Sequence, residues 1–150
     1  MERNLDLLAV GLTTLDITVY PVAKIPDGDT GEFVESIALS PAGTAGGTAL
    51  VAQKLGMAAG IASAVGNDPQ GGLVRAMFAE AGVDTSLLSA NAAMPTTTTV
   101  LPIRPGGDRP HWHMMGASVF APVTDAMFAA PPRTAAVVSM SEVLGQAMRN

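Results

Sequence analysis

The sequence predicts an α/β fold, a doubly wound parallel sheet accompanied by a second, small antiparallel sheet. Two short apolar runs that end at glycines, Leu5–Val10 and Ile61–Val65, have the length and composition of buried parallel strands. One helical pattern precedes the second run and another follows it, and alternation of strands with helices favours a parallel sheet. Four further extended stretches do not fit that sheet and are typical of antiparallel strands.

The first half of the chain supplies the first strand, two strands of the small sheet and a helix. Leu5–Val10 is the first strand, and Asp16–Val22 and Glu32–Leu39 are predicted for the small sheet, with turn residues between them. A helix begins near Ala45 and ends at Gly56, as glycine commonly terminates helices. Small residues form a narrow face on this helix, which would let it lie close to a sheet: Ala45, Ala49, Ala52 and Leu55.

The second half begins with the strand Ile61–Val65 and a second helix. Asp68 is placed to cap that helix, Pro69 lies in its first turn, and Gly82 follows its end. Leu73, Met77 and Ala81 share one of its faces.

A hairpin and a last strand complete the predicted elements. Thr96–Ile103 is β-branched and extended, turns at a Gly-Gly pair, and can return through His111–Met115. Asp125–Ala129 is a short helical candidate, and Ala135–Met140 is the last apolar strand.

Composition excludes several classes of function. The 150 residues are enough for one domain, 48% of them are apolar, and no apolar run is long enough to span a membrane. The absence of cysteine excludes disulfides and thiolate metal sites, and the N-terminus is a poor signal peptide, so we expect a cytoplasmic protein. The net charge is −5 and the eight Lys and Arg residues are scattered, which disfavours nucleic-acid binding.

Asp16 is the first candidate for chemistry. The stretch Gly11–Asp16 follows the first strand, so this carboxylate would lie at the carboxyl edge of the sheet, where open α/β sheets bind ligands. Its two oxygens could accept hydrogen bonds from neighbouring sugar hydroxyls. The alternative is an Asp that only caps a turn.

The glycine-rich stretch Pro41–Thr48 is the second candidate. Its small residues would let backbone N–H groups approach a polar ligand, with the positive end of a helix behind them. No Gly-Lys-Ser/Thr follows, so it is not a Walker A loop, and its spacing differs from the dinucleotide-binding motif. The alternative is a flexible loop.

Two histidines flank Trp112 in the predicted hairpin. His111 and His113 would face one way on a strand and could hold a metal, but no third ligand is evident. Exposed residues of the small sheet are the favoured interpretation.

The stretch Pro41–Gly66 resembles the first signature of the ribokinase-like (PfkB-type) carbohydrate kinases. Five residues fall in register with that signature: Ala42, Gly43, Ala49, Gly56 and Gly66. Other stretches resemble further markers of the family, one before this signature and four after it, in the family's order: Pro26–Thr30, Val65–Gly71, Gly82–Thr85, Pro95–Thr97 and Gly116–Ala117. Gly47 departs from the pattern, because the family has a sugar-binding Asn there.

The resemblance implies ATP-dependent phosphorylation of a sugar or nucleoside hydroxyl, with ATP and Mg²⁺ held mostly outside this chain. The implied fold is a ribokinase-like doubly wound parallel sheet with a small antiparallel β lid, its C-terminal part missing. A homodimer through the lid would be possible. The implied substrate-binding residues are Asp16, Gly43, Thr44, Gly46, Gly47 and Thr48.

The resemblance also implies a domain that is incomplete. Residues 1–150 would form a single ribokinase-like domain with its core at 1–15, 41–95 and 117–150, and lid strands at about 16–40 and 96–116. The family's general base and phosphate anion hole lie in a Gly-Ala-Gly-Asp motif, which this sequence does not contain. We therefore expect no catalytic residue in this chain and no activity of the chain alone.

Two other functions remain open from the sequence. One is a catalytically inactive module for sugar binding or dimerisation. The other is an unrelated α/β nucleotide-binding domain, suggested by the Gly-rich turn before a helix, although no phosphate-binding Lys or acidic ribose ligand can be assigned.

Overall fold

A computed structural model of the chain describes residues 5–121, 124–125 and 135–138. Its elements, in chain order, are β1 (Leu7–Val10), β2 (Thr14–Tyr20), β3 (Ser36–Ala42), α1 (Thr44–Lys54), β4 (Ala59–Gly66), α2 (Pro69–Glu80), β5 (Asp84–Asn91), β6 (Thr98–Pro102), β7 (Trp112–Met114), a 3₁₀ turn (Ala117–Phe120) and β8 (Ala135–Val138). None of the helices in this part of the chain is long and apolar enough to cross a membrane.

The main sheet is parallel and has the strand order β5-β4-β1-β8. Both helices contribute to one apolar cluster with one face of this sheet, whose buried members are Ala9, Leu15, Ala45, Ala49, Ile61, Val65, Val74, Phe78, Val83 and Leu88. A smaller cluster lies on the opposite face: Leu5, Leu8, Val10 and Ala62. Since successive residues of a strand point to opposite faces, the continuous apolar runs of β1 and β4 supply both clusters.

The second sheet, called the lid sheet here, has the order β3-β2-β6-β7. Its outer pairs, β3 with β2 and β6 with β7, are antiparallel as the sequence predicts. The middle pair, β2 with β6, is parallel. The lid sheet is therefore mixed. It consists of two antiparallel pairs from distant parts of the chain, which are joined through their parallel strands β2 and β6.

The predicted helix ends are confirmed. Gly56 and Gly82 adopt φ values of 85° and 84°, the left-handed conformation that favours glycine at the end of a helix. Asp68 caps α2, and Pro69 is its first residue. Three of the four predicted α1 contacts are buried (Ala45, Ala49 and Ala52), whereas Leu55 is 76% exposed.

The predicted face of α2 is not its buried face. Val74 and Phe78 are fully buried together with Gly71, while Leu73 is 37% exposed. The two residues that follow Leu73 on the predicted face, Met77 and Ala81, are not buried either. Both faces carry apolar residues at helical spacing, so periodicity alone does not decide which one meets the sheet.

Several strand boundaries differ from the prediction. β2 begins two residues earlier than expected, and β3 begins at Ser36 rather than at Glu32, because pairing between the two strands starts only there. The edge strand β5, Asp84–Asn91, was missed, since its mostly polar sequence lacks an apolar run. The predicted helical residues 126–129 and the strand end 139–140 lie outside the described residues.

Adjacent glycines in α1 meet different surroundings. A Cβ at Gly46 would lie 2.8 Å from Thr13 Oγ1 and 3.0 Å from Phe78 Cζ, and both of those side chains are fully buried. A Cβ at Gly47 would have nothing within 4 Å. Gly46 therefore allows α1 to pack closely, whereas Gly47 has no packing role against the described residues.

We expect Gly46→Ala to destabilise the chain by about 1–3 kcal/mol, because the buried neighbours must move. Gly47→Ala should stabilise it by about 0.4–1 kcal/mol, since Ala restricts the unfolded chain and is the better helix former. Urea unfolding of the two variants beside the wild type checks this pair. Equal midpoints for the two variants would contradict it.

Hydrogen bonds to the Asp68 carboxylate connect the end of β4 to the segment just before β6. Its Oδ1 accepts hydrogen bonds from the Gly71 amide at 2.8 Å and the Thr96 hydroxyl at 2.6 Å, and its Oδ2 accepts one from the Thr96 amide at 2.8 Å. Thr96 Oγ1 also accepts a hydrogen bond from the Gly66 amide. Burial raises the pKa of Asp68, but the hydrogen bonds from Thr96 and Gly71 outweigh this effect and lower its pKa below the ordinary value of 3.8.

Asp68→Asn should destabilise the chain by about 1–3 kcal/mol at pH 7, because the Asn amide group sets a donor against a backbone N–H. Since the folded-state pKa of Asp68 is lowered, the ionised carboxylate adds to the free energy of unfolding above pH 3.8. This stabilisation is lost as the pH falls through the folded-state pKa. Urea unfolding at pH 7 and at pH 3 should show a difference between wild type and variant that shrinks at the lower pH. A difference that is the same at both pH values would refute this role of the charge.

Candidate functional site

The site begins where the chain leaves the main sheet. Gly11 follows β1, and its carbonyl accepts a 2.6 Å hydrogen bond from the Ser63 hydroxyl of β4. Leu12 and Thr13 then lead directly into β2 of the lid sheet. The two sheets therefore meet at the carboxyl end of β1, the edge at which open α/β sheets bind ligands.

Gly43 lies against this connection. Its φ is 86°, and a Cβ on it would lie 2.6 Å from the Leu12 carbonyl oxygen and 3.0 Å from Thr13 Cα. Only glycine therefore fits here, both for its backbone conformation and for the close approach of two main chains. This contact brings the start of α1 beside the start of β2.

A cleft of about 450 Å³ opens between these segments and the lid sheet. Its lining comes from the β1–β2 connection, from β2, from the start of α1, and from β6 and β7. The residues are Leu12, Thr14, Asp16, Gly43, Thr44, Thr99, Leu101, His111 and His113. Three residues predicted from the sequence, Asp16, Gly43 and Thr44, thus share one cleft.

The Asp16 side chain is half-buried in the wall formed by the lid sheet. Its Oδ1 accepts a 2.7 Å hydrogen bond from the Thr14 hydroxyl. Among the described residues no donor contacts Oδ2. The carboxylate is held from one side and has acceptor capacity left for a ligand hydroxyl.

The start of α1 presents the exposed Thr44 side chain to the cleft. The amides of Ala45 and Gly46 both donate to the Leu12 carbonyl, at 3.0 and 3.3 Å, and the Gly47 amide donates to the Gly43 carbonyl at 2.7 Å. These three amides are occupied by the protein itself. The sequence-based expectation that the backbone of this turn binds the ligand is therefore not supported for them.

The other predicted site residues lie elsewhere. Gly46 is buried against Thr13 and Phe78. Gly47 and Thr48 line a second, mostly apolar groove of about 470 Å³, which also includes Leu7 of β1 and shares Thr44 with the cleft. The Thr48 hydroxyl donates to the Thr44 carbonyl at 2.7 Å, as threonines often do inside helices.

Four polar residues of the cleft were not predicted as site residues: Thr14, Thr99, His111 and His113. Alternation in β2 places Thr14 on the side of Asp16, a signal that the sequence carried. The position of Thr99 depends on the pairing of β6 with β2, which no local pattern shows. The described residues contain no group of three or more His, Asp or Glu side chains that could hold a metal, so the metal interpretation of the two histidines has no support here.

Comparison with protein families and sequences gives two matches. The model of the pfkB family carbohydrate kinases matches residues 4–110. A nucleoside kinase of Methanothermobacter thermautotrophicus is 32% identical over 98 residues, which cover 64% of this chain and 31% of that protein.

Comparison with solved structures gives the same type of fold. A protein of Agrobacterium tumefaciens assigned as a ribokinase is similar with a TM-score of 0.72 at 22% identity, over 85% of this chain and 42% of that one. The Arabidopsis thaliana ribokinase, solved with ribose and ATP, has a TM-score of 0.63 at 21% identity, over 75% and 36% of the two chains. The chain thus spans well under half the length of these relatives.

Proposed function

The chain belongs to the pfkB family of carbohydrate kinases, and from this we propose that it forms the substrate-binding part of an ATP-dependent kinase. The acceptor would be a hydroxyl group of a sugar or nucleoside. The fold is ribokinase-like, with a parallel main sheet and a small lid sheet. The kinase would act in the cytoplasm, where a chain without cysteine is stable to reducing conditions.

The shared cleft of Asp16, Gly43 and Thr44 is the observation that carries this proposal. Asp16 would accept hydrogen bonds from substrate hydroxyls through Oδ2, while the Thr14 hydroxyl holds Oδ1 in place. Thr44 would add a hydroxyl partner from the opposite wall. Carboxylate acceptors bind hydroxyl groups more strongly than neutral acceptors, so Asp16 is the principal binding residue.

The relatives support a small polyhydroxylated acceptor. One is a nucleoside kinase, and another is a ribokinase solved with ribose and ATP. A nucleoside and free ribose both carry neighbouring hydroxyl groups on a ribose ring, and these suit a carboxylate in a cleft of this size.

ATP and Mg²⁺ do not fit the described residues. The amides of Ala45 and Gly46, which could have bound a phosphate, donate to Leu12 instead. The described part also offers no cluster of acidic side chains for a cation. ATP and Mg²⁺ would therefore be bound mostly by residues outside this chain.

The outer side of the lid sheet favours a second role, in dimerisation. Residues that alternate with the cleft residues form an apolar surface there, and four of its side chains are at least 45% exposed: Ile37, Leu39, Trp112 and Met114. A contiguous apolar surface of this kind is typical of a protein interface. We propose a homodimer through this face. Such a dimer could form whether the chain is part of an active kinase or a catalytically inactive sugar-binding module.

We expect Asp16→Asn to weaken the binding of ribose or a nucleoside to the chain by roughly 10–100-fold, because a hydrogen bond to a charged group is lost. Calorimetric titration measures this. Asp84→Asn, in the edge strand β5 outside the cleft, is the matched control and should leave the affinity unchanged. Equal affinities for wild type and Asp16→Asn would contradict the proposed site.

The purified 150-residue chain should show no ATP-dependent phosphorylation of ribose or nucleosides. The sequence lacks the Gly-Ala-Gly-Asp motif, and positioning of both reactants is needed for transfer. A radiolabelled phosphate-transfer assay against a no-enzyme control tests it. Product above that control would show that the chain carries a phosphate site of its own.

A further inference from the structure

A row of three polar residues crosses the lid sheet on the side of the cleft. Asp16 of β2 pairs with Thr99 of β6, and Thr99 pairs with His113 of β7. Residues in direct register on neighbouring strands project to the same face, and all three line the cleft. Trp112, between the two histidines in sequence, lines pockets on the outer side of the lid sheet instead.

Thr99 holds the His113 ring in one orientation. The hydroxyl of Thr99 and Nδ1 of His113 lie 2.8 Å apart. Thr99 is 8% exposed and fixed within β6, whereas the His113 ring stands in the open part of the cleft. In the described part of the chain nothing hydrogen-bonds to His113 Nε2. One ring nitrogen is thus anchored, and the other is presented to the cleft.

The distance between Asp16 and His113 sets the minimum length of a ligand that can contact both residues at once. Strands of a sheet lie about 4.8 Å apart, so Asp16 and His113, two strands apart, are separated by roughly 10 Å. A single furanose ring is shorter than this. A nucleoside, with its ribose on Asp16 and its base beyond Thr99, has the required length.

We propose that His113, oriented by Thr99, is a specificity-determining residue that hydrogen-bonds through Nε2 to the base of a nucleoside substrate. The inference rests on the proposed function, because it assumes that Asp16 binds the ribose. It adds that the acceptor is a nucleoside rather than a free pentose. Thr99 acts as the positioning residue for the imidazole.

Magnetic resonance of the two histidines gives a direct test. The chain contains only His111 and His113, so its spectrum has two sets of imidazole signals, which His111→Gln and His113→Gln assign. Titration with uridine and adenosine, and separately with ribose, gives both the affinities and the ring that responds. We expect at least one nucleoside to shift the His113 signals and ribose to leave them in place.

Substitutions separate a contact from a structural role. His113→Ala should weaken nucleoside binding by roughly 3–10-fold and ribose binding by less than 2-fold, as for one lost hydrogen bond. His113→Gln places a polar group near Nε2 and should restore much of the affinity, whereas His113→Asn, which mimics Nδ1, should not. Thr99→Val should resemble His113→Ala. Trp112→Leu, on the outer face of the same strand, should leave the ratio of the two affinities unchanged.

The outcomes are distinct for this inference and for the proposed function. One outcome overturns the role of His113 alone. In it, nucleoside and ribose binding depends on Asp16, but the nucleoside does not shift the His113 signals and His113→Ala does not change the ratio of nucleoside to ribose affinity. Ribose binding without nucleoside binding overturns the substrate class. Binding of neither ligand counts against the proposed function and this inference together.

Discussion

The close approach of Gly43 to the Leu12–Thr13 main chain is the constraint on which the cleft depends. Any Cβ at position 43 would overlap the Leu12 carbonyl, and the same carbonyl accepts hydrogen bonds from the first amides of α1. The Leu12–Thr13 peptide group therefore lies between the end of β1 and the start of β2, and its carbonyl also accepts hydrogen bonds from the start of α1. Because these three elements meet at one point, Asp16 and Thr44 face the same space.

This arrangement has a consequence for ligand recognition. Three amides at the start of α1, those of Ala45, Gly46 and Gly47, are already occupied, and the side chains that line the described part of the cleft offer a carboxylate, hydroxyls and imidazoles. Such groups recognise hydroxyls and base edges. The chemistry of the cleft therefore agrees with binding of the acceptor, and the phosphate donor needs other residues.

A second junction ties the lid sheet to the main sheet. Asp68, after β4, binds both the amide and the hydroxyl of Thr96, just before β6. Thr97 and Ser118, both buried, lie 2.7 Å apart through their hydroxyl oxygens next to this point. The lid sheet is thus anchored at both of its central strands, β2 through Gly43 and Leu12, and β6 through Asp68. The row of Asp16, Thr99 and His113, in which Thr99 and His113 are hydrogen-bonded, begins on these two anchored strands.

The sequence by itself determined the local features of this protein. The apolar runs of β1 and β4, the cap at Asp68 and the helix ends at Gly56 and Gly82 were all predictable, because each depends on residues close together in the chain. Asp16 and Gly43 were likewise predicted for the site. Only the tertiary structure decided that β6 lies parallel to β2, that the polar strand β5 joins the sheet edge, and that Thr99 and His113 extend the row of Asp16. The pairings of β2 with β6 and of β4 with β5 join segments that are distant in the chain, and a shift of one residue in the β2–β6 register would have turned Thr99 away from the cleft.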